Sequence, residues 1–306
     1  MPRSNDTRTG TTAGRAASTS RRRALRREAP STVGLLADAG DFAAMRHYRS
    51  FTFDDHRDYL HHVDGLLRSL TAQGIHTTVA LFDPAEYAEY CAEHGIDPDT
   101  PEGRTRFTAE LAGTGAALPH AGRPIGELAP LLVDEAVRQA TWEYAAGLLS
   151  GVGNCADCGE DIGTASLRRA ADALDRLVAR AGPGHHHLVC SVPTEGEQLV
   201  AALTQTRADG SPHIGGRESL DFVTVLAAGL ALGGPGGLVL RSTSDGPGPR
   251  DRVHGWRLDR GRLVPLSAAA VFNAYCTDAD TGEPVPPEPG VEYCPGYEVD
   301  EPGLPH

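Results

Sequence analysis

Short apolar runs and longer stretches with helical spacing alternate along the first half of the chain. The runs at 32–37 and 76–82 each suit a buried strand, and a weaker candidate lies at 116–120. Apolar residues between them recur every three or four positions, which predicts amphipathic helices. Strands that alternate with helices are typical of a parallel sheet covered on both faces. Residues 32–150 are therefore predicted to form a three-layer α/β unit with a parallel sheet.

The pattern changes beyond residue 184. Strand-like runs now lie close together around one apolar helix at 218–232, and they occupy 185–192, 198–207, 237–242, 252–258 and 262–266. Strands grouped in this way predict a smaller α+β unit over 185–276. Residues 151–184, between the two predicted units, hold a cysteine-containing turn and a connecting helix.

Both ends of the chain differ from this body. Residues 1–31 are rich in Arg, Ser, Thr, Gly and Ala and have few apolar side chains, so a disordered arm is predicted. Residues 277–306 form a tail rich in Pro and Glu. Neither end is expected to hold fixed structure, and both are expected to be available for protein contacts.

The basic residues restrict the chemistry. All 28 are arginine, because the chain contains no lysine. Schiff-base catalysis and the lysine-containing phosphate loop are therefore excluded. The high Arg, Gly, Pro and Ala content is typical of proteins from GC-rich bacterial genomes.

Charge is divided unevenly along the chain. Residues 1–31 carry eight arginines against two acidic residues, whereas 32–306 carry 20 against 39. The arm is therefore a candidate for weak nucleic-acid contact, and the acidic body is not. The chain has neither an apolar run of the roughly 18–20 residues that span a membrane nor a signal-like segment after its arginines. We expect a cytoplasmic protein without membrane contact, whose cysteines are reduced or metal-bound.

Cys155 and Cys158 form the pattern that demands the most specific chemistry. They are separated by two residues in a Gly-rich turn between two predicted helices. A zinc knuckle needs this spacing, because two thiolates can then bind one tetrahedral ion. A redox pair would be expected at the first turn of a helix, and this turn instead follows a helix. A structural zinc is therefore predicted, and two ordinary reduced thiols are the alternative.

The other ligands of this zinc have several candidates. Cys91 and His94 are preferred, since they lie three residues apart on one helix face near its end. The competitors are two further groups, which are His185, His186, His187 and Cys190 in one strand-like run, and Cys276 and Cys294 beside the tail.

Asp38, Asp41 and Asp83 lie at or just beyond the ends of two predicted parallel strands. Carboxylates grouped there can bind Mg²⁺, but acids at these positions also serve as helix N-caps. No complete catalytic motif accompanies them. The sequence thus favours a non-catalytic, zinc-stabilised cytoplasmic protein that acts through protein contacts. The alternative is a metal-dependent hydrolase or nucleotide-processing enzyme that uses the three aspartates.

Overall fold

A computed structural model describes residues 31–207, 216–243, 251–278 and 281–299. Within these ranges the chain is a mixed α/β protein with eight helices and two mixed sheets. It divides into two compact units between Val137 and Arg138. The predicted disordered arm lies outside the described residues, apart from its last residue, Ser31, which begins the first strand.

The first unit contains three strands and four helices, together with the start of a fifth helix. In chain order they are β1 (Ser31–Leu35), α1 (Ala39–Met45), α2 (His56–Ala72), β2 (Thr77–Leu81), α3 (Pro84–His94), α4 (Pro101–Thr114), β3 (Ala117–Pro119) and α5 (Ile125–Gly151). Local sequence determines several helix starts. Asp83 and Thr100 act as N-caps, and a proline occupies the first turn of each of the helices that follow them.

The predicted parallel pair of strands is confirmed, whereas the prediction of an all-parallel sheet is wrong. β1 and β2 are parallel, with Val33 opposite Val79. β3 pairs antiparallel with β2, so the sheet is mixed. Two full helices, α3 and α4, lie between β2 and β3. After these helices the chain re-enters the sheet at the end where β2 left it, and β3 therefore runs in the opposite direction to β2.

The second unit begins within α5 and adds three helices and six strands. They are α6 (Ile162–Ala181), β4 (Gly184–Pro193), β5 (Gln198–Arg207), α7 (Arg217–Leu232), β6 (Gly236–Thr243), β7 (Asp251–Asp259), β8 (Arg262–Pro265), α8 (Ala268–Tyr275) and β9 (Val291–Tyr293). The sheet order is β5-β4-β6-β7-β8, and these neighbours are antiparallel. The five strands and the apolar helix predicted after residue 184 are present.

Each unit has its own hydrophobic core, and α5 contributes to both. Leu128 and Leu132 are buried in the first core. Ala145 and Leu149, further along the same helix, are buried in the second. The sequence predicts the end of the first domain at residue 150, one residue before the end of this helix, whereas the two compact units divide within the helix, after Val137.

The C-terminal region is part of the fold over residues 281–299, so the expectation of an unstructured tail is wrong there. β9 pairs in parallel with β7. The Trp256 indole N–H donates to the Tyr297 carbonyl at 2.8 Å, and the Tyr297 hydroxyl donates to the Leu177 carbonyl at 2.6 Å. Aromatic residues dispersed among the prolines anchor this segment to the second unit.

In the part of the chain that the structure describes, no helix combines the length and the apolar character that a membrane span needs.

Candidate functional site

Two of the three predicted aspartates cap helices. One Asp38 carboxylate oxygen accepts the backbone N–H groups of Gly40 at 2.6 Å and Asp41 at 2.9 Å. Asp83 caps α3 in the same way, accepting from Ala85 at 2.6 Å and from Glu86 at 3.2 Å. Both carboxylates therefore hold helix N-termini beyond the carboxyl ends of β1 and β2.

The charges of Asp38 and Asp83 nevertheless act on the third carboxyl group, that of Asp41. The pKa of Asp41 is raised to about 6, first by partial burial and then by the Asp38 charge, a hydrogen bond to Asp38 and the Asp83 charge. The pKa of Asp38 is lowered, chiefly because its carboxylate accepts the Asp41 N–H. An acid with a pKa near 6 can exchange a proton close to neutral pH, as a general acid or base must.

The turn that holds the two cysteines is closed by backbone hydrogen bonds. Ile162 N–H donates to the Gly153 carbonyl at 3.0 Å, and Cys155 N–H donates to the Glu160 carbonyl at 2.8 Å. Gly153 has φ 82°, in the left-handed region that favours glycine. The helix that follows begins at Ile162, one residue after its N-cap Asp161.

Within this turn, hydrogen-bond donors converge on the Cys155 sulfur. The backbone N–H of Cys158, the backbone N–H of Asp157 and the Cys158 thiol all donate to it, and together they lower the pKa of the Cys155 thiol. Such bonds stabilise a thiolate, which is the form that binds metals and reacts with electrophiles. The turn therefore suits the chemistry predicted for it, but it presents only two sulfurs.

The preferred partner ligands lie in the first unit, whereas the turn belongs to the second. Cys91 is buried in the first core, and its thiol hydrogen-bonds the Tyr87 hydroxyl. His94 is exposed, and its Nδ1 lies 2.9 Å from the Tyr90 carbonyl. Across the four described ranges, no group of three or more His, Cys, Asp or Glu residues is arranged to hold a metal ion. The zinc site, including Cys91 and His94, stays a prediction.

The competing ligands are divided by strand alternation. His185 and His187 point to the exposed face of β4, while His186 and Cys190 point into the core. Burial raises the pKa of Cys190 to about 12, which opposes metal binding by its thiolate. Of the two cysteines near the tail, Cys276 is buried and Cys294 is half-buried.

An apolar groove on the second unit was not predicted. It has a volume of about 940 Å³, and Glu143 supplies its acidic side chain. It follows one face of α5 and reaches the end of α7, and its other lining residues are Ala140, Tyr144, Gly147, Leu148, Gly151, Val152, Ala231 and Leu232. The α5 residues recur at helical spacing, and this spacing predicts a helix without showing whether its apolar face is buried or accessible. Tyr144 and Leu232 are 37% and 44% exposed.

A smaller hollow of about 490 Å³ adjoins the same helix. It is lined by residues of α5, α6 and α7, including Trp142, Leu167 and Leu220. Leu220 is 54% exposed. The second half of α5 thus borders apolar surface that the fold of the second unit leaves accessible.

Residues 20–123 match a family model described as a domain of unknown function, DUF8829. The match covers Asp38, Asp41 and Asp83 and the three strands of the first unit, and it ends before α5 and the groove. No curated protein and no solved structure matches the chain.

Proposed function

We propose that this chain is a non-catalytic cytoplasmic protein that acts by binding a protein partner. The apolar groove along α5 is the observation that carries the proposal. Its lining includes Tyr144, Leu148 and Leu232, and rigid aromatic and aliphatic side chains of this kind anchor protein interfaces. A groove along a helix suits an amphipathic helix or a short apolar segment of the partner.

The charge of the body indicates which partner would fit. Residues 32–306 carry 39 acidic residues against 20 arginines, and Glu143 lies at the groove itself. A partner with an apolar contact face and a basic rim would complement this surface and would associate faster at low salt. The partner segment is therefore expected to be amphipathic and basic.

A fluorescent amphipathic peptide of leucine and lysine tests the proposal directly. Leu232→Glu should weaken binding of this probe about ten-fold or more, which corresponds to about 1.4 kcal/mol. The new carboxylate attracts the cationic probe, so electrostatics alone would predict tighter binding. A loss of affinity therefore reports loss of the apolar contact.

The matched control is Val200→Glu, which adds the same charge at an apolar residue that is 48% exposed but does not line the groove. This variant should bind the probe as tightly as the unmodified chain, or slightly more tightly. Equal affinities for the Leu232 and Val200 variants would reject the groove as the binding surface.

A zinc ion at the Cys155–Cys158 turn is the structural part of the proposal. The N–H donors around the Cys155 sulfur support it, since they stabilise the charged form that zinc requires. Metal analysis of purified protein, combined with thiol titration, should find one zinc per chain. Cys155→Ser should remove the zinc and lower the melting temperature without changing probe binding. Metal-free protein with freely titratable thiols would contradict the zinc assignment.

The raised pKa of Asp41 favours a second candidate function, a hydrolase or nucleotide-processing enzyme. Mg²⁺ is often held by one or two carboxylates together with water and substrate phosphates, so Asp38 and Asp41 would suffice as protein ligands. A panel of nucleotides and phosphate esters should be assayed with Mg²⁺. An activity abolished by Asp38→Asn in a folded protein would support the enzyme and reject the non-catalytic role.

A further inference from the structure

The first strand in the order of the second sheet, β5, has a free edge. Among the described strands it pairs with β4 alone. The pairing is continuous along all 10 residues of β5, from Gln198 opposite Pro193 to Arg207 opposite Gly184. The strand is therefore long and regular, and it lacks the bulge by which many proteins disrupt an exposed sheet edge.

Every second residue of β5 directs its backbone groups away from β4. The hairpin shows which residues these are, because the Thr194 N–H donates to the Glu197 carbonyl at 2.9 Å. Hydrogen-bonded pairs of an antiparallel ladder alternate from that point. The residues whose N–H and C=O groups point outward are therefore Val200, Ala202, Thr204 and Thr206. In the described part of the chain, none of these outward groups has a hydrogen-bond partner.

The side chains along this edge do not protect it. Sheet edges are commonly blocked by charged residues or proline, and residues 198–206 contain neither. Val200 is 48% exposed, and Ala202 and Thr204 are also exposed. The edge thus offers a row of unpaired backbone groups beside small, uncharged side chains, which is the surface that another strand requires.

We propose that β5 is a dimerisation strand, whose free edge pairs antiparallel with β5 of a second copy of this chain. A two-fold axis perpendicular to the strands generates such a pair. With the axis at Ala202, this residue lies opposite Ala202 of the second copy, and Val200 lies opposite Thr204. The outward groups of the two strands then bond to each other, and the facing side chains are small or β-branched, as cross-strand pairs favour.

Charge favours a second copy over the basic partner proposed for the groove. The strands β4, β5 and β6 contain no Asp or Glu, although residues 32–306 carry 39 acidic residues. A basic segment would therefore find no carboxylate on these strands. Two copies of an acidic chain, in contrast, can approach each other at a contact without carboxylates, where like-charge repulsion is avoided.

Sedimentation equilibrium of the full-length chain tests the proposal. Dithiothreitol should be present, so that disulfides between chains do not contribute. The average mass should rise from that of one chain toward that of two between about 1 µM and about 200 µM, because a single strand pair is a small interface that gives micromolar affinity. A mass that stays at one chain over this range would overturn the proposal.

Two substitutions of similar size at Ala202 separate the backbone from the side chain. Ala202→Pro removes the outward N–H at the middle of the edge without removing a bond to β4, so it should weaken the dimer at least about ten-fold. Ala202→Val keeps this N–H and adds a β-branched side chain, so its dimer should be as tight as that of the unmodified chain or tighter. Both variants should keep the far-ultraviolet circular dichroism of the unmodified chain. Equal dimer affinities of the two variants would contradict the proposal.

Hydrogen exchange with single-residue resolution tests the unmodified chain directly. The N–H groups of Val200, Ala202 and Thr204 should be protected at high protein concentration and exchange rapidly at low concentration. Those of Ala201 and Leu203, which bond to β4, should be protected at both. Protection of the outward groups that does not depend on concentration would mean that the same chain covers this edge, and it would reject the dimer.

The dimer is independent of the groove, because no β5 residue lines it. Ala202→Pro should therefore leave binding of the leucine–lysine probe unchanged. The dimer and the groove can then fail separately, since the probe reports only the second.

Discussion

The Arg138 guanidinium forms an ion pair with the Asp221 carboxylate inside the second unit. The Asp221 side chain is 8% exposed, on a helix whose neighbouring residues are nearly all buried and apolar, and the Arg138 side chain is 28% exposed. Arg138 is the first residue of α5 that belongs to the second unit, and Asp221 lies near the start of α7, the most buried helix of that unit. The ion pair therefore connects these two helices. A charge that is buried without its partner is costly.

Because the partners are buried to different extents, we expect unequal effects from removing them. Arg138→Met leaves a carboxylate in an apolar setting and should destabilise the second unit by about 3 kcal/mol. Asp221→Leu leaves an arginine that can reach water and should cost about 1 kcal/mol. The double variant should be close to the unmodified chain. Both tryptophans, Trp142 and Trp256, lie in the second unit, so unfolding in urea can be followed by tryptophan fluorescence. Equal losses in the two single variants would contradict this account.

Ionisation of the Asp41 carboxyl group should lower the free energy of unfolding as the pH rises. Its folded-state pKa of about 6 lies above the ordinary value of 3.8, so the folded chain binds its proton more tightly than the unfolded chain does. Its contribution to stability is thus present below pH 4 and is lost as the pH rises through 6. Because the group is largely hydrated, Asp41→Asn should stabilise the chain at pH 7.5 by only about 1 kcal/mol. Thermal melts of both proteins from pH 3.5 to pH 8 should diverge between pH 4 and 6, and parallel curves would contradict the prediction.

Capping and charge can be separated at Asp38 and Asp83. Asn is as good an N-cap as Asp, so Asp83→Asn should leave stability nearly unchanged, whereas Asp83→Ala should cost about 1 kcal/mol. Asp38→Asn and Asp38→Ala should differ from each other in the same way. Hydrogen exchange of the first turns of α1 and α3 measures the loss locally. A large loss in the Asn variants would show that the negative charge matters beyond the cap.

The contact between Tyr297 and Leu177 should stabilise the C-terminal region. Tyr297→Phe keeps the ring but leaves the Leu177 carbonyl without this donor, at a cost of about 1 kcal/mol. Tyr293→Phe is the matched control, because its hydroxyl makes a longer 3.3 Å bond to the exposed Glu288 N–H. Tryptophan fluorescence reports the change, since the Trp256 and Tyr297 rings are 4.9 Å apart. Equal destabilisation by the two variants would argue against the anchoring role.

Local patterns were sufficient to predict the strands and most helices. Apolar runs predict β1 and β2, and an aspartate at the position of Asp83 is typical of a helix N-cap, the role that it has at the start of α3. The direction of β3 could not be predicted, because it depends on how two successive helices return the chain to the sheet.

The features missed at the candidate sites depend on contacts between residues distant in sequence. Asp221 was visible as an acid within an apolar helix, but its partner Arg138 lies 83 positions away. The prolines of the tail predict an unstructured segment, whereas its packing depends on contacts of Tyr297 and Trp256. The groove along α5 was not recognised, because the same helical spacing describes a buried face and an accessible one.

The helix α5 has a thermodynamic consequence for the chain. Its 27 residues divide into 13 assigned to the first unit and 14 assigned to the second. Isolated helices shorter than about 12 to 15 residues are only marginally stable in water, so each half alone would be close to the coil state. Helix formation is cooperative along the backbone, and the anchoring of Leu132 in one core therefore favours helix around Leu149 in the other. Substitutions that destabilise α5 in one unit are therefore expected to change hydrogen exchange of the part of α5 in the other. A fragment of either unit that is expressed alone should include all of residues 125–151.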